Sequence, residues 1–432
     1  MSTRAERLLP WALVALAVAV WIGPLQHFWW NGASITDIPT YQHAYDAMRD
    51  GQVPYRDFPL EYPPLAALLF LVAGILPVAY TTAFSGLMLV CLCATVLGVV
   101  ATARAMGFPV MRQALAGGAV ALCPLVLGNL VATRFDLLLA ALLAWMLYAL
   151  VTERWRLAWG LLAAATLAKL VPLALVPVMI LYQRHRQGGR LRPALLGLAG
   201  AVAAIVVVVL PFVAMSPGGT WHIVGYHAER PLQIESTGAA YLLGLRVLAG
   251  IDLTVRSSFG SQGLQGRGPD ALALLSTAAT AVLVLAIAIT LHLLLRRARP
   301  PADARLLLAA AAATTAALLV GGKVLSPQFL VWLLPSAFLV AGPHGWGAFA
   351  AALASMAVTQ AYFPRHYWDL VAMRDGPIGW LVLRDALLIV LVATAWPRRT
   401  VAVPEGAVLP PRTTPASPGA ADRAVAARYL SD

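Results

Sequence analysis

The acidic residues of this chain are few and unevenly placed. Asp37, Asp46, Asp50, Asp57 and Glu61 all fall within TDIPTYQHAYDAMRDGQVPYRDFPLEYPP, residues 36–64. A lone carboxylate in such a stretch can take the proton of an attacking hydroxyl, whereas a divalent ion wants several oxygen ligands held together. No D-x-D triplet occurs anywhere in the chain, so the expected chemistry is independent of metal and of any other cofactor. The basic residues are equally selective: of 31, only Lys169 and Lys323 are lysines, and both stand near the ends of apolar runs. Arg134 and Asp136 open another run, and Arg230, Glu235, His222 and His227 share one long hydrophilic stretch. The two histidines, five residues apart, suit a metal poorly, and Cys91, Cys93 and Cys123 sit in apolar runs without zinc-ligand spacing, which makes them packing residues.

Each candidate also has a plain structural reading. Asp37 precedes a stretch with Pro39 in its first turn, Gly51 beyond its end, and Tyr41, Tyr45 and Met48 at i, i+4 and i+7, which predicts a short amphipathic helix lying on a membrane. There a carboxylate can simply cap the free amides. Asp46 and Asp50 fit the solvated side of that helix, and Asp57 fits an ion pair with Arg56 or Arg49. Arg134 and Asp136 fit a salt bridge at the mouth of a span, and the long cations fit snorkelling.

The elements that must position these residues are membrane helices. The composition is 60% hydrophobic and 12% charged, against roughly 25% charged in a soluble domain. Runs such as Leu8 to Leu25, Tyr80 to Ala103, Ala194 to Ala214, Ala271 to Leu295 and Gly379 to Trp396 are long enough to cross about 30 Å of hydrocarbon as helices. The first follows Arg4 and Arg7, exceeds a signal-peptide core and ends at Trp29-Trp30, so it reads as a retained anchor. Segments 1–7, 104–112, 153–156, 184–192, 296–305 and 397–432 hold 19 of the 31 basic residues and 6 of the 19 acidic ones. Basic residues collect on the cytoplasmic side; these segments are therefore assigned inside, with both termini, and the remaining charges outside. The sequence pI near 10.1 then reflects insertion, and a nucleic-acid partner is excluded.

The architecture expected is an all-α integral membrane protein of about 12 transmembrane helices over residues 1–396. It has a first outer loop at 30–64 with juxtamembrane helices, a long outer loop at 215–270, and a disordered cytoplasmic tail at 397–432. Pro63 to Leu76 is too short to span comfortably and reads as an interfacial or half-inserted helix. Leu157 to Ala168 and Val171 to Tyr182 read as an up-and-down pair with Lys169 at the outer junction. Trp29, Trp30, Trp221 and Trp368 suit the membrane interface.

In the first outer loop, Asp37, Tyr41, Gly51-Gln52-Val53-Pro54-Tyr55-Arg56-Asp57-Phe58 and Glu61-Tyr62-Pro63-Pro64 resemble the polyprenol-phosphate-sugar-dependent glycosyltransferases of the C-type membrane fold. Within these the chain most resembles family 87, the mannosyltransferase-like group. Arg134-Phe135-Asp136, Lys169 with Pro172, Arg230-Pro231-Leu232-Gln233-Ile234-Glu235-Ser236, and Ser326-Pro327-Gln328-Phe329 before a span agree with it. The resemblance covers roughly residues 8–395 and implies transfer of a sugar from a polyprenyl-phosphate donor to an acceptor hydroxyl outside the plasma membrane, with inversion. Mannose is the family default, and an envelope glycolipid or lipoglycan is the implied acceptor. Asp37 is carried over as general base. Lys169, Arg230 and Lys323 are expected on the donor phosphate, and Tyr41, Tyr62, Arg134, Asp136, His227, Glu235 and Gln328 in supporting or acceptor-binding places. The short pieces 63–76 and 157–182 are candidates for a groove that takes the lipid. A transporter or lipid flippase is the competing class, disfavoured because the acids crowd into loops and no repeat is evident.

Overall fold

The computed structural model describes residues 4–24 and 35–399; Trp29, Trp30 and the tail from residue 400 lie outside them. Among the described residues, six helices are long and apolar enough to cross a membrane: Arg4–Ile22, Tyr80–Ala105, Arg192–Met215, Arg267–Leu295, Ala302–Gly321 and Asp375–Ala395. Ala302–Gly321 is buried along nearly its whole length, and its alanine-rich surface lets neighbours approach closely. Arg192–Met215 and Arg267–Leu295 are the opposite case. They are apolar all round yet almost wholly uncovered by protein, which is stable only if lipid covers them.

Shorter apolar helices complete the bundle, among them Pro64–Ile75, Asp136–Val151 and Trp155–Ala168. Pro64–Ile75 has 12 residues, a rise of about 18 Å, which is too little to cross. It packs instead under the helix Ile38–Arg49, with Tyr41 stacked on Phe70 at 4.4 Å between centroids. The helix Ile38–Arg49 has the expected two faces: Ile38, Tyr41, Ala44 and Ala47 are buried, while Asp46 is half-buried, Asp50 is exposed, and both meet Arg49. Gly51, just past its end, takes φ +84°, which favours glycine.

Trp155–Ala168 and Val176–Arg186 fold back on each other. The indole of Trp159 donates to Gln183 Oε1 at 2.8 Å, and Trp155 lies 6.0 Å from Tyr182. The bend is Lys169–Leu170 and a 3₁₀ turn at Val171–Leu175, where Pro172 supplies no amide for an α-helix. A regular span was expected to follow Ser326; the structure instead has 3₁₀ turns at Pro327–Leu333 and Ala337–Leu339. Pro327 and Pro335 break the helical ladder there, and the irregular backbone survives because protein encloses it.

Between Arg192–Met215 and Arg267–Leu295 the chain forms the helices Pro217–Glu229 and Thr237–Ala249 and a small antiparallel sheet. Its strands β1 (Leu232–Gln233), β2 (Thr254–Ser258) and β3 (Ser261–Gln265) are ordered β1-β3-β2. This unit has its own apolar cluster, including Leu232, Ile234, Leu243, Leu264, Tyr362 and Leu381.

The charges separate into two groups. Arg186 bridges Glu153 and Asp303, His185 lies 3.4 Å from Asp303, and Arg104 reaches the carbonyl of Glu6. All of these belong to segments that the sequence assigns to one side. The groups from the first loop, the long loop and the hairpin bend gather elsewhere.

Candidate functional site

Asp37 occupies the N-cap position of Ile38–Arg49, yet its side chain makes no cap bond. The hydroxyl of Thr36 accepts from the Ile38 amide instead, so the capping reading of Asp37 does not hold. Its carboxylate is one-third exposed and turns toward Arg134, whose Nε lies 2.9 Å from Oδ2. The Tyr41 hydroxyl donates to the same oxygen at 3.2 Å. Burial, with Asp37 adding to it, raises the Tyr41 phenol well above its ordinary range, so it remains a donor. Among the described residues nothing is bonded to Oδ1. The arrangement holds one carboxylate oxygen and leaves the other for a ligand.

Arg134 and Asp136 do not pair with each other; each takes a different partner. Asp136 Oδ1 receives Lys169 Nζ and the Trp332 indole N–H, both at 2.6 Å. The ammonium also lies over Phe135, Phe329 and Trp332 at 4.8–5.0 Å from their centroids, a favourable cation–π setting. Lys169, expected on the donor phosphate, is thus paired with Asp136 and enclosed by three aromatic rings. The salt bridge foreseen for Asp136 exists, but its partner comes from the hairpin bend. Tyr41 and Tyr62 line an aromatic cluster with Phe70 and Phe135, and so support Asp37 from behind.

Other basic groups gather in the long loop and beside it. His227, Arg230 and Lys323 form one neighbourhood: burial first, then the charges of Arg230 and Lys169, lower the His227 imidazole to about 4. It is therefore neutral at physiological pH. Arg230 is held by Ser261 Oγ at 2.9 Å and by the face of Tyr226. Lys323 Nζ donates to the Ala228 carbonyl at 2.6 Å, and burial with Arg230 lowers its affinity for a proton. Tyr226 ties the two halves together, since Glu61, Arg230 and Asp37 all act on its phenol. The first loop docks here through Gly219, where an added Cβ would fall 1.8 Å from the Tyr55 carbonyl.

Glu235 is buried and meets Gln233 at 3.3 Å and the Tyr362 hydroxyl. Arg230, five residues earlier, takes other partners. Burial, only partly opposed by Arg384, raises the Glu235 carboxyl to about 8. Gln328 is half-buried, and among the described residues its side chain makes no hydrogen bond. Asp57 pairs with Arg56 at 2.7 Å. That bond, with the Val53 amide, holds its carboxyl at about 2, so Asp57 is a turn-former. Trp221 and Trp368 are exposed, as interface residues would be. No three His, Cys, Asp or Glu side chains among the described residues come together as an ion would require.

Sequence reasoning missed Arg384 and Asp385, which lie inside the apolar run Gly379 to Trp396 and are fully buried. Two charges in such a run were themselves the signal. Tyr226 and Trp332 gave no comparable sign.

Fold and site define a polytopic membrane protein whose reactive groups collect in one place between two hydrophilic segments and a helix bend. The profile of glycosyltransferase family 87 matches residues 60–327, well over half the chain, and the protein belongs to that family. It is a membrane glycosyltransferase. The matched stretch contains Arg134, Asp136, Lys169, Arg230, Glu235 and Lys323; Asp37 precedes it and is tied to it by the ion pair with Arg134. A comparison with curated proteins finds no match.

Proposed function

We propose that the protein transfers a hexose, with mannose as the family default, from a polyprenyl-phosphate donor to a hydroxyl of an envelope glycolipid or lipoglycan. The reaction takes place at the outer face of the plasma membrane. The acceptor oxygen attacks the anomeric carbon from the side opposite the phosphate and its proton passes to Asp37 Oδ1. The bond from anomeric carbon to phosphate oxygen breaks with its electron pair on the leaving polyprenyl phosphate, and the configuration inverts. A phosphate leaving group needs positive charge and hydrogen bonds more than a proton, and Arg230 and Lys323 supply them. Lys169, already paired, keeps Asp136 and the hairpin bend in place, and neutral His227 offers a hydrogen bond to either substrate.

The observation that carries this reading is the state of Asp37: held by two groups on one oxygen, open on the other, and close enough to Tyr226 that it and Arg230 both act on that phenol. The test is transfer from polyprenyl-phosphate mannose by purified protein in nanodiscs. Asp37→Asn should lower turnover roughly 10²- to 10⁴-fold, the usual worth of a general base, with unchanged purification behaviour. Substantial remaining turnover would exclude Asp37 as the base.

A further inference from the structure

Arg384 is the largest fully buried side chain among the described residues, and nothing in the proposed transfer uses it. Its Nε lies 2.7 Å from Asp385 Oδ1, the guanidinium sits 5.8 Å from the Tyr362 ring centroid, and Nη1 has no hydrogen-bond partner among the described residues. A buried ion pair of this kind is weak evidence for stability, because well-packed apolar residues often serve a fold as well or better. What Arg384 does make is one long-range bond: Nη2 donates to the main-chain carbonyl of Glu235.

That carbonyl belongs to a tight turn. The Ser236 amide and hydroxyl both donate to the Gln233 carbonyl, at 2.9 and 2.7 Å. Gln233 in turn holds the segment that carries Lys323: its amide donates to the Lys323 carbonyl at 2.9 Å, and its side-chain amide donates to Ser326 Oγ at 3.1 Å. Lys323 is thus reached from Arg384 through one turn and two hydrogen bonds.

We infer that Arg384, with Asp385, is a positioning residue that fixes the 233–236 turn and thereby sets Lys323 against the donor phosphate. The inference rests on the proposed phosphate contact of Lys323, and the two can be tested apart. The probe is a fluorescent polyprenyl monophosphate, titrated against full-length protein in detergent micelles. Lys323→Met should weaken binding about tenfold, near 1.4 kcal/mol. The apolar pair Arg384→Met with Asp385→Leu should keep the unfolding temperature yet weaken binding at least threefold. Ser326→Ala, which removes the hydroxyl's link to the Gln233 side chain and leaves the buried charges alone, should weaken it in the same direction. In transfer assays, Ser326→Ala and the apolar pair should raise the donor KM more than they lower kcat. Unchanged binding in Lys323→Met would sink the phosphate contact itself. Weakened binding in Lys323→Met, with Ser326→Ala and the apolar pair at wild-type affinity, would sink only the positioning role. Should the apolar pair not fold, Arg384→Lys, which keeps the buried charge but shortens the reach to the Glu235 carbonyl, takes its place, and wild-type affinity in that variant would sink the role of Arg384.

Discussion

The Glu235 carboxyl makes the stability of this protein depend on pH in a direction opposite to that of most acidic residues. Burial raises its pKa from 4.5 to about 8, and the opposing attraction of Arg384 is too weak to cancel this. The folded state therefore binds a proton that the unfolded chain gives up. The associated stability is fully present below about 4.5 and is lost as pH rises through about 8. At about 1.4 kcal/mol for each pH unit, the whole interval is worth on the order of 5 kcal/mol. That is a large part of the roughly 5–15 kcal/mol that holds an ordinary domain together, so it should be visible. The assay is thermal unfolding of detergent-purified protein between pH 5 and 8.5, for wild type and Glu235→Gln. Wild type should lose stability across the interval, by a fall in Tm on the order of 5 °C. Glu235→Gln, which keeps the shape and cannot ionise, should show a much flatter profile. Identical slopes in the two proteins would refute the reasoning, because they would mean that Glu235 is ionised in the fold and that Arg384 outweighs its burial.

Three further outcomes follow from the site. If Arg134 acts through Asp37, the double variant Arg134→Leu with Asp37→Asn should be no slower than Asp37→Asn alone; independent, multiplying losses in turnover would separate the two residues. His227 is held at about 4, so wild type and His227→Gln should give pH–rate profiles of the same shape from pH 5.5 to 8, and loss of an inflection near 6.5 in the variant would show a histidine titrating there. Transfer should persist in excess chelator; activity that disappears and is restored by manganese or magnesium alone would require an ion in the mechanism.

Much of the fold was legible because hydrophobic length and charge sidedness are properties of the chain alone. The runs at Tyr80, Ala194, Ala271 and Gly379 appear as helices within a few residues of where composition puts them. The amphipathic helix after Asp37 was legible from its period and from Gly51. The pairing of the two short pieces was legible from their length and from the positive residues beyond them. The partners of charges were not. Arg134 and Asp136 look like a pair in sequence, and only the three-dimensional arrangement shows that closer competitors, Asp37 and Lys169, arrive from other elements. The 3₁₀ path after Ser326 was hidden for a similar reason: its residues are as apolar as a span, and only protein on all sides lets the backbone leave the α-helix. The sheet of the long loop, built of strands two to five residues long, carries too little pattern to announce itself.

The triplet Arg134-Phe135-Asp136 shows why the site needs all these elements at once. Arg134 takes the carboxylate of the first loop, Asp136 takes the ammonium of the hairpin bend and the indole of the 3₁₀ segment, and the Phe135 ring lies against Tyr41, Tyr62 and the Lys169 ammonium. Three consecutive residues at the mouth of one helix thereby join three segments far apart in sequence. Each buried charge is matched by an opposite one, without which it would be costly to keep. Replacing Asp136 should consequently do more damage than replacing an exposed acid such as Asp50. It would leave Lys169 uncompensated among three aromatic rings, loosen the bend, and shift Phe135 away from Tyr41, whose hydroxyl holds Asp37. Asp136→Asn, which keeps the acceptor for Trp332 but not the charge, separates the two effects. If the triplet works as a joint, this variant should lose both thermal stability and turnover, whereas Asp50→Asn should lose neither.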